Sequence, residues 1–278
     1  MIELRPRLTP SRVWWLAARP ATLAASVSPV LVGTAVAVRG GHVRPWAGLA
    51  ALAVTIALQV GVNYANDYSD FVRGADTPRR RGPVRAAASG VVPPRQVRAA
   101  AFAAFGVAAA IGLALSLATD WRLLLAGALA VAAGWLYTGG PRPYGYLGLG
   151  EVFVFVFFGL LATCGTAYVE SGQVGALAVT GGVATGALAC SILVLNNLRD
   201  SETDRVAAKR TLAVRLGAAP TRLLLAGLLA LALVAAVVAF GLGYGGRLVG
   251  LPLLTLPLAW QVHHLSASND PKVLVGAL

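Results

Sequence analysis

Trp46-Ala-Gly-Leu-Ala-Ala-Leu-Ala-Val-Thr-Ile-Ala-Leu-Gln-Val-Gly-Val-Asn63-Tyr-Ala-Asn66-Asp67-Tyr-Ser-Asp70-Phe-Val-Arg73-Gly74-Ala-Asp76 is an apolar run of membrane-spanning length that ends in amides and carboxylates. About 20 consecutive apolar residues read as a transmembrane helix. Carboxylates in lipid-embedded segments are costly and mark places where an ion or a charged substrate binds. A second apolar segment ends the same way, at Asn196-Asn197-Leu-Arg-Asp200-Ser-Glu202-Thr-Asp204. The chain has eleven acidic residues, and these two places hold six of them. Two such clusters facing each other suggest a divalent cation site gripping a polyanion.

The rest of the chain supports the membrane reading. It is 57% hydrophobic and 12% charged, with a mean hydropathy of +0.72, values of an integral membrane protein. Apolar stretches at 21–38, 46–65, 97–118, 122–138, 148–169, 174–196, 221–241 and 246–262 predict eight helices. Asn269-Asp270-Pro271-Lys272 and the apolar residues after it look like the start of a ninth without its body. The expected fold is all-α, a polytopic transmembrane bundle forming one domain over 1–278. No cleavable signal peptide is evident, because the basic start leads into a segment long enough to span.

A net charge of +12 invites a nucleic-acid reading, which the charge distribution rejects. With the N-terminus inside, 19 of the 23 Lys and Arg fall on one side, and only Arg39, Arg44, Arg122 and Arg247 on the other. That asymmetry predicts a cytoplasmic N-terminus and places both acidic clusters on the cytoplasmic face of the cell membrane. Anionic lipid headgroups account for part of the basic excess, and an anionic substrate could account for more. Arginine supplies 21 of the 23 cations, which together with the Ala/Gly/Val richness suggests a bacterial, GC-rich genome. Cys164 and Cys190 read as small packing residues within spans. The adjacent His263 and His264 do not have a ligand spacing.

Two long charged loops, 66–96 and 197–220, follow the clusters and would cap the cytoplasmic end. The Asn-x3-Asp pairs repeat at an offset of 130 residues, suggesting two related halves at about 14–138 and 139–278, as in membrane folds that bind substrate between repeats. On a helix, positions i, i+4 and i+8 drift only about 40° per step, so Asn196, Asp200 and Asp204 form one stripe. Asn63 with Asp67, and Asn66 with Asp70, form two adjacent stripes. Mg²⁺ wants oxygen ligands and is often held by one or two carboxylates plus phosphate oxygens. Asn66, Asp67, Asp70, Asp200 and Asp204 are therefore the candidate metal ligands, with a diphosphate bridging the ions. Arg73, Arg81, Arg85, Lys209 and Arg210, with Asn66 and Asn196, are candidates for holding the diphosphate. Asn63, Tyr64, Tyr137 and Tyr144 are candidates for an aromatic pocket; these tyrosines, like Tyr68 and Tyr146, read equally as interfacial anchors. Glu151 stands apart as an intramembrane carboxylate.

The tracts 63–76, Arg81-Gly-Pro-Val-Arg85 and Asn196-Asn-Leu-Arg-Asp200-x3-Asp204-x4-Lys209-Arg-Thr-Leu-Ala-Val resemble the UbiA superfamily of intramembrane prenyltransferases, and most closely its menaquinone branch. Tyr137-Thr-Gly-Gly-Pro-Arg-Pro-Tyr-Gly-Tyr-Leu-Gly-Leu-Gly-Glu151 and Ala18-Arg-Pro-x-Thr22-Leu share the likeness, which runs from about residue 14 to the end. The resemblance implies nine helices around a central cavity capped by the two loops. It also implies Mg²⁺-dependent prenylation of 1,4-dihydroxy-2-naphthoate from a polyprenyl diphosphate drawn from the lipid phase. In that chemistry the diphosphate departs, the allylic cation is captured by the electron-rich ring, and the ring carboxylate leaves as CO₂. The family's Asn-x3-Asp-x3-Asp pattern falls on Asn66 and Asp70, with Gly74 at its third position and Asp76 two residues on. Its second cluster falls on Asp200 and Asp204. Asp76 and Glu151 are the candidates for a general base. The alternatives are a sister prenyltransferase acting on 4-hydroxybenzoate, haem or another lipid acceptor, and an ion-coupled transporter.

Overall fold

The computed structural model describes residues 8–41, 43–76, 84–244 and 250–268, and among them it is helical throughout. The helices are α1 (Pro10–Ala17), α2 (Ala24–Arg39), α3 (Pro45–Val72), α4 (Pro94–Ala118), α5 (Leu123–Leu136), α6 (Gly150–Val154), α7 (Ala162–Ser171), α8 (Ala176–Val206), α9 (Leu212–Leu216), α10 (Ala218–Tyr244) and α11 (Leu256–Ser266). A π-helical segment, Phe155–Leu161, joins α6 to α7. Proline sits in the first turn of α1, α3 and α4, where its fixed φ suits the helix and its missing N–H costs nothing.

Among the described residues six helical stretches are long and apolar enough to cross a membrane: Pro10–Arg39, Pro45–Val72, Pro94–Ala118, Gly150–Ser171, Ala176–Val206 and Ala218–Gly243. Six of the eight expected segments correspond to these stretches, and two differ. The fourth, α5, has 14 residues and is about 21 Å long, shorter than a hydrocarbon core of about 30 Å. The eighth is broken into a 3₁₀ turn, Leu251–Thr255, and the 11-residue α11, with Pro252 and Pro257 punctuating the run. The stub of a ninth helix at 269–278 lies outside the described residues. The two loops also start later than expected. Helix α3 continues to Val72 and α8 to Val206, so Asn66, Asp67, Asp70, Asp200 and Asp204 all stand on helices.

The bundle closes partly through large apolar contacts, such as Val194, Leu195 and Leu198 of α8 on Leu225 of α10, and partly through small residues. A Cβ on Gly33 of α2 would lie 2.5 Å from the Thr163 carbonyl oxygen and 2.8 Å from Thr166 Cβ. Gly159, in the π-helical segment, backs onto Gly182 and Gly186 of α8 just as closely. Lipid tails are as apolar as leucine, so helices in membranes associate through such close backbone approach. Other large side chains turn outward: Leu223, Trp121, Leu117 and Leu258 are all more than 60% exposed. At the end that carries the acidic clusters, α1 packs through Val13 and Ala17 onto Ala86, Ala87, Val92 and Val97. Trp14 meets the Tyr64 ring edge-on at 5.3 Å, which anchors α1 across the end of α3.

Candidate active site

Successive residues of a helix are about 100° apart, so Asn63, Asn66 and Asp70 share one face of α3 while Asp67 falls beside it. The first three line a cavity of about 1260 Å³. Asp67 instead accepts the backbone N–H groups of Ala86 at 2.6 Å and Ala87 at 3.0 Å, at the start of the 3₁₀ turn Ala87–Ser89. Both of its oxygens are engaged there. Asp67, expected among the metal ligands, does not line the cavity; it clamps the 84–89 segment onto α3.

Helix α3 ends at Arg73 with Gly74 at φ 69°, the Gly74 N–H bonded to the Phe71 carbonyl and the Ala75 N–H to that of Asp70. This is a Schellman cap, for which a left-handed glycine is the ordinary solution. It explains why the third family position carries no acid here. Asp76, past the turn, lies 3.5 Å from Arg85 Nε and does not line the cavity.

Asp70 is the hub. Its Oδ1 accepts from the Tyr146 hydroxyl at 2.7 Å, and its Oδ2 accepts from Arg85 Nη2 at 2.9 Å and Lys209 Nζ at 2.7 Å. Lys209 also approaches Asp204 Oδ1 at 3.9 Å, so one ammonium spans both acidic clusters. Burial alone would lower the Arg85 guanidinium, but Asp70, Asp76, Asp67 and Asp200 outweigh it and hold it above its usual range. Burial, followed by the Asp70 carboxylate, pushes the Tyr146 phenol far up, so it serves as a neutral donor. On α8, Asn196, Asp200 and Asp204 reach the same cavity. Arg199 grips both Asp200 oxygens at 2.8 Å. The expected meeting of the two clusters is what the fold delivers.

The aromatic wall forms beside this hub. Tyr144 donates to the Ala133 carbonyl at 2.9 Å and stacks on Phe153 with ring centroids 3.9 Å apart. Tyr137 meets Tyr144 edge-on at 5.5 Å. Both tyrosines line the cavity, as does Asn63, whose amide donates to the Ala18 carbonyl at 2.8 Å. Tyr64 does not line it, since its hydroxyl points to the Trp14 carbonyl at 3.3 Å. Two of the expected cations are also misplaced for this cavity. Arg73 is exposed and donates to the Gly140 carbonyl, and Arg210 is exposed with its backbone N–H on the Tyr146 carbonyl at 3.0 Å. Arg81 lies outside the described residues. Glu151 stands behind the wall, its Oε1 accepting from Asn197 Nδ2 at 2.9 Å.

Sequence reasoning gives no role to Arg199, Thr138, Asn197 and Thr211, and weighs Tyr146 only as an interfacial anchor or aromatic wall; all five line the cavity. Arg199 and Asn197 fall inside the quoted 196–204 tract and Thr211 follows Lys209-Arg210, so adjacency was the available signal. Tyr146 and Thr138 lie inside the quoted 137–151 tract, and the fold brings them to α3: Thr138 donates to Asn66 Oδ1 at 2.7 Å and Tyr146 to Asp70 Oδ1 at 2.7 Å.

The cavity runs along α3 from Ala51 to Asp70, 19 steps of the helix and about 28 Å at 1.5 Å per residue. One end is charged, and the other is lined by Gly112, Leu115, Leu123, Leu124 and Gly127. Among the described residues no three His, Cys, Asp or Glu side chains form a closed metal cage. The donor set is nevertheless the one that suits a hard cation sharing its coordination with phosphate oxygens: few carboxylates, amide oxygens and no sulfur. Arg85 Nη1 and Thr211 Oγ1 are buried with no hydrogen-bond partner among the described residues. Buried donors are normally satisfied, and an anion at this end of the cavity would satisfy both.

Residues 26–274 match the UbiA prenyltransferase family. The chain belongs to that family. Among its relatives, 1,4-dihydroxy-2-naphthoate octaprenyltransferase of Mycobacterium tuberculosis (strain ATCC 25618 / H37Rv) is 51% identical over 219 residues, 79% of this chain and 75% of that one. The protein of the same name from Escherichia coli (strain K12) is 38% identical, covering 82% of this chain and 77% of its own length. In fold, the chain resembles a UbiA homologue from Archaeoglobus fulgidus bound to GPP and Mg²⁺, with a TM-score of 0.69, 16% identity, and coverage of 95% and 94%. This family member is thus a multi-pass membrane protein of prenyltransferase fold, its carboxylates and cations gathered at one mouth of a long apolar cavity.

Proposed function

We propose that the chain transfers a polyprenyl group from an allylic polyprenyl diphosphate to 1,4-dihydroxy-2-naphthoate, releasing diphosphate and CO₂ and forming demethylmenaquinone. The observation that carries the reading is one cavity about 28 Å long that joins a charged cradle to an apolar channel, in a chain 51% identical to a naphthoate prenyltransferase. Arg85 and Lys209 face the diphosphate, and Thr211 adds a hydroxyl donor. Asn66, Asp70, Asp200 and Asp204 are placed to hold Mg²⁺, which when bound neutralises the diphosphate so that the allylic C–O bond can ionise. The apolar walls keep water from the allylic carbon, and Tyr144 with Phe153 offers a face for the ring. A bond forms between the allylic carbon and the ring carbon bearing the carboxylate, and loss of CO₂ restores the aromatic system.

The test is a membrane assay with naphthoate carrying ¹³C in its carboxyl group. Labelled CO₂ should appear one-to-one with prenylated product, and 4-hydroxybenzoate should be converted poorly because its single ring leaves part of the pocket unfilled. Product that keeps the label, or a preference for the smaller ring, overturns the naphthoate reading and leaves a sister prenyltransferase. Activity should vanish in EDTA and return with Mg²⁺, and Asp204→Asn should lose most turnover. An ion-coupled transporter would carry its acids near the bilayer midplane at broken helices; here Asp70 and Asp204 stand within the last turns of their helices.

We place the protein in the cell membrane of a bacterium with a GC-rich genome, as one unit over 1–278 built from two related halves, with the N-terminus and the charged mouth cytoplasmic. Cysteines introduced at Ser89 and Ser201 should resist an impermeant thiol reagent added to intact cells and react after lysis. Labelling of either one from outside reverses the orientation.

A further inference from the structure

Glu151 is a carboxylate in the first turn of a membrane-spanning stretch, 9% exposed, and the reaction as derived above gives it no role. Its surroundings are specific. Oε1 accepts from Asn197 Nδ2 at 2.9 Å across 46 positions of sequence. The Cys190 thiol donates to the Glu151 backbone carbonyl at 3.1 Å, fastening this turn of α6 to α8. A Cβ on the neighbouring Gly150 would lie 3.1 Å from Tyr137 Cε2, so the Tyr137 ring lies flush against the same turn. Tyr137 and Asn197 both line the cavity in front of Glu151. The π-helical segment that follows at Phe155–Leu161 shifts the register of the wall, a departure from α-geometry often found at functional sites.

We infer that Asn197 receives a hydrogen bond from a ring hydroxyl of the aromatic acceptor, and that Glu151 is the positioning residue that fixes the orientation of its amide. This rests on the naphthoate reading above and deepens it. An asparagine side chain offers an NH₂ donor and a carbonyl acceptor, whereas a carboxylate only accepts. Glu151 therefore takes the NH₂, and the carbonyl oxygen is the atom left to the cavity. A carbonyl oxygen there welcomes a hydroxyl and repels a carboxylate. It distinguishes the hydroxyl side of the naphthoate from its acid side, and so decides which ring carbon meets the allylic carbon. Glu151 Oε2 is buried with no hydrogen-bond partner among the described residues, so the bond from Asn197 to Oε1 is what ties this carboxylate to the cavity wall.

The experiment is steady-state kinetics of the full-length protein in lipid nanodiscs, with each substrate varied in turn. Glu151→Ala and Asn197→Ala should each raise KM for the naphthoate about tenfold, the scale of one hydrogen bond. KM for the polyprenyl diphosphate should not move. Because both changes remove one interaction, the double variant should be no worse than either single one. Glu151→Gln keeps an oxygen that can accept from Asn197 and should stay within about twofold of wild type. An unchanged naphthoate KM, equal rises in both KM values, or a Glu151→Gln variant as impaired as Glu151→Ala overturns the inference. Should Glu151→Ala fail to fold, Asn197→Ala carries the same test. Wild-type protein that does not turn over the naphthoate sinks the proposed function as well; an active wild type with unaltered variants sinks this inference alone.

Discussion

Asp70→Asn should lower turnover by about 10²–10³-fold, the range seen when one electrostatic contact to developing transition-state charge is removed. Asp70 is 2% exposed and bonds Tyr146, Arg85 and Lys209 at once. Asparagine keeps one acceptor oxygen for the two cations but removes the negative charge that neutralises them. Breaking a buried ion pair from one side costs about 3–5 kcal/mol because the remaining charge is left uncompensated. The substitution is therefore expected to lower the melting temperature as well as the rate, so activity must be read on protein shown to be folded. A polyanion would satisfy the stranded Arg85 and Lys209. Inorganic diphosphate should consequently stabilise Asp70→Asn more than it stabilises wild type in a thermal shift assay. Near-normal turnover of the folded variant, with an unchanged Mg²⁺ dependence, would refute Asp70 as the hub of the diphosphate site.

Gly159→Leu should abolish accumulation of folded protein. A Cβ at Gly159 would stand 2.7 Å from the Gly182 carbonyl oxygen and 2.8 Å from the Gly186 nitrogen, both main-chain atoms of α8 that cannot rotate aside. Overpacking a tight interface usually costs about 1–3 kcal/mol and occasionally more. Here the whole helix would have to move, and α8 carries Asn196, Asp200 and Asp204. Gly227 on α10 is the control, since nothing lies within 4 Å of a Cβ there and the residue is exposed. Gly227→Leu should express and melt like wild type. Equal yields of the two variants after detergent extraction would show that the Gly159 contact does not hold α8 in place.

The acidic clusters were legible because carboxylates are scarce in an apolar chain, and a stripe at i, i+4 and i+8 on α8 needs only helical geometry. Individual roles were less legible. Asp67 and Asp70 are three residues apart with the same chemistry, yet one clamps backbone N–H groups of a loop and the other faces the cavity. The roughly 60° between them on α3 decides that, together with where residues 84–89 return. Arg73 and Arg85 read alike as loop cations, but only Arg85 folds back against the carboxylates. Tyr146 stood in the 137–151 tract without a role of its own; it reaches Asp70 across 76 positions because the turn after α5 brings it there.

By itself the sequence determined the solvent and the chemistry. Runs of spanning length demand lipid, because backbone polar groups within them are satisfied only by helices. Six acids concentrated at two helix ends demand a cation or cationic side chains. Tertiary structure alone decided which oxygens face inward, which arginines are buried with them, and how far the apolar channel extends. Those outcomes depend on helix rotation and on loops returning from distant positions, and rotation is set by Gly33, Gly159 and Gly186 meeting backbones from elsewhere in the chain. A hydropathy pattern records that a helix is apolar. It does not record which neighbour the helix turns to face.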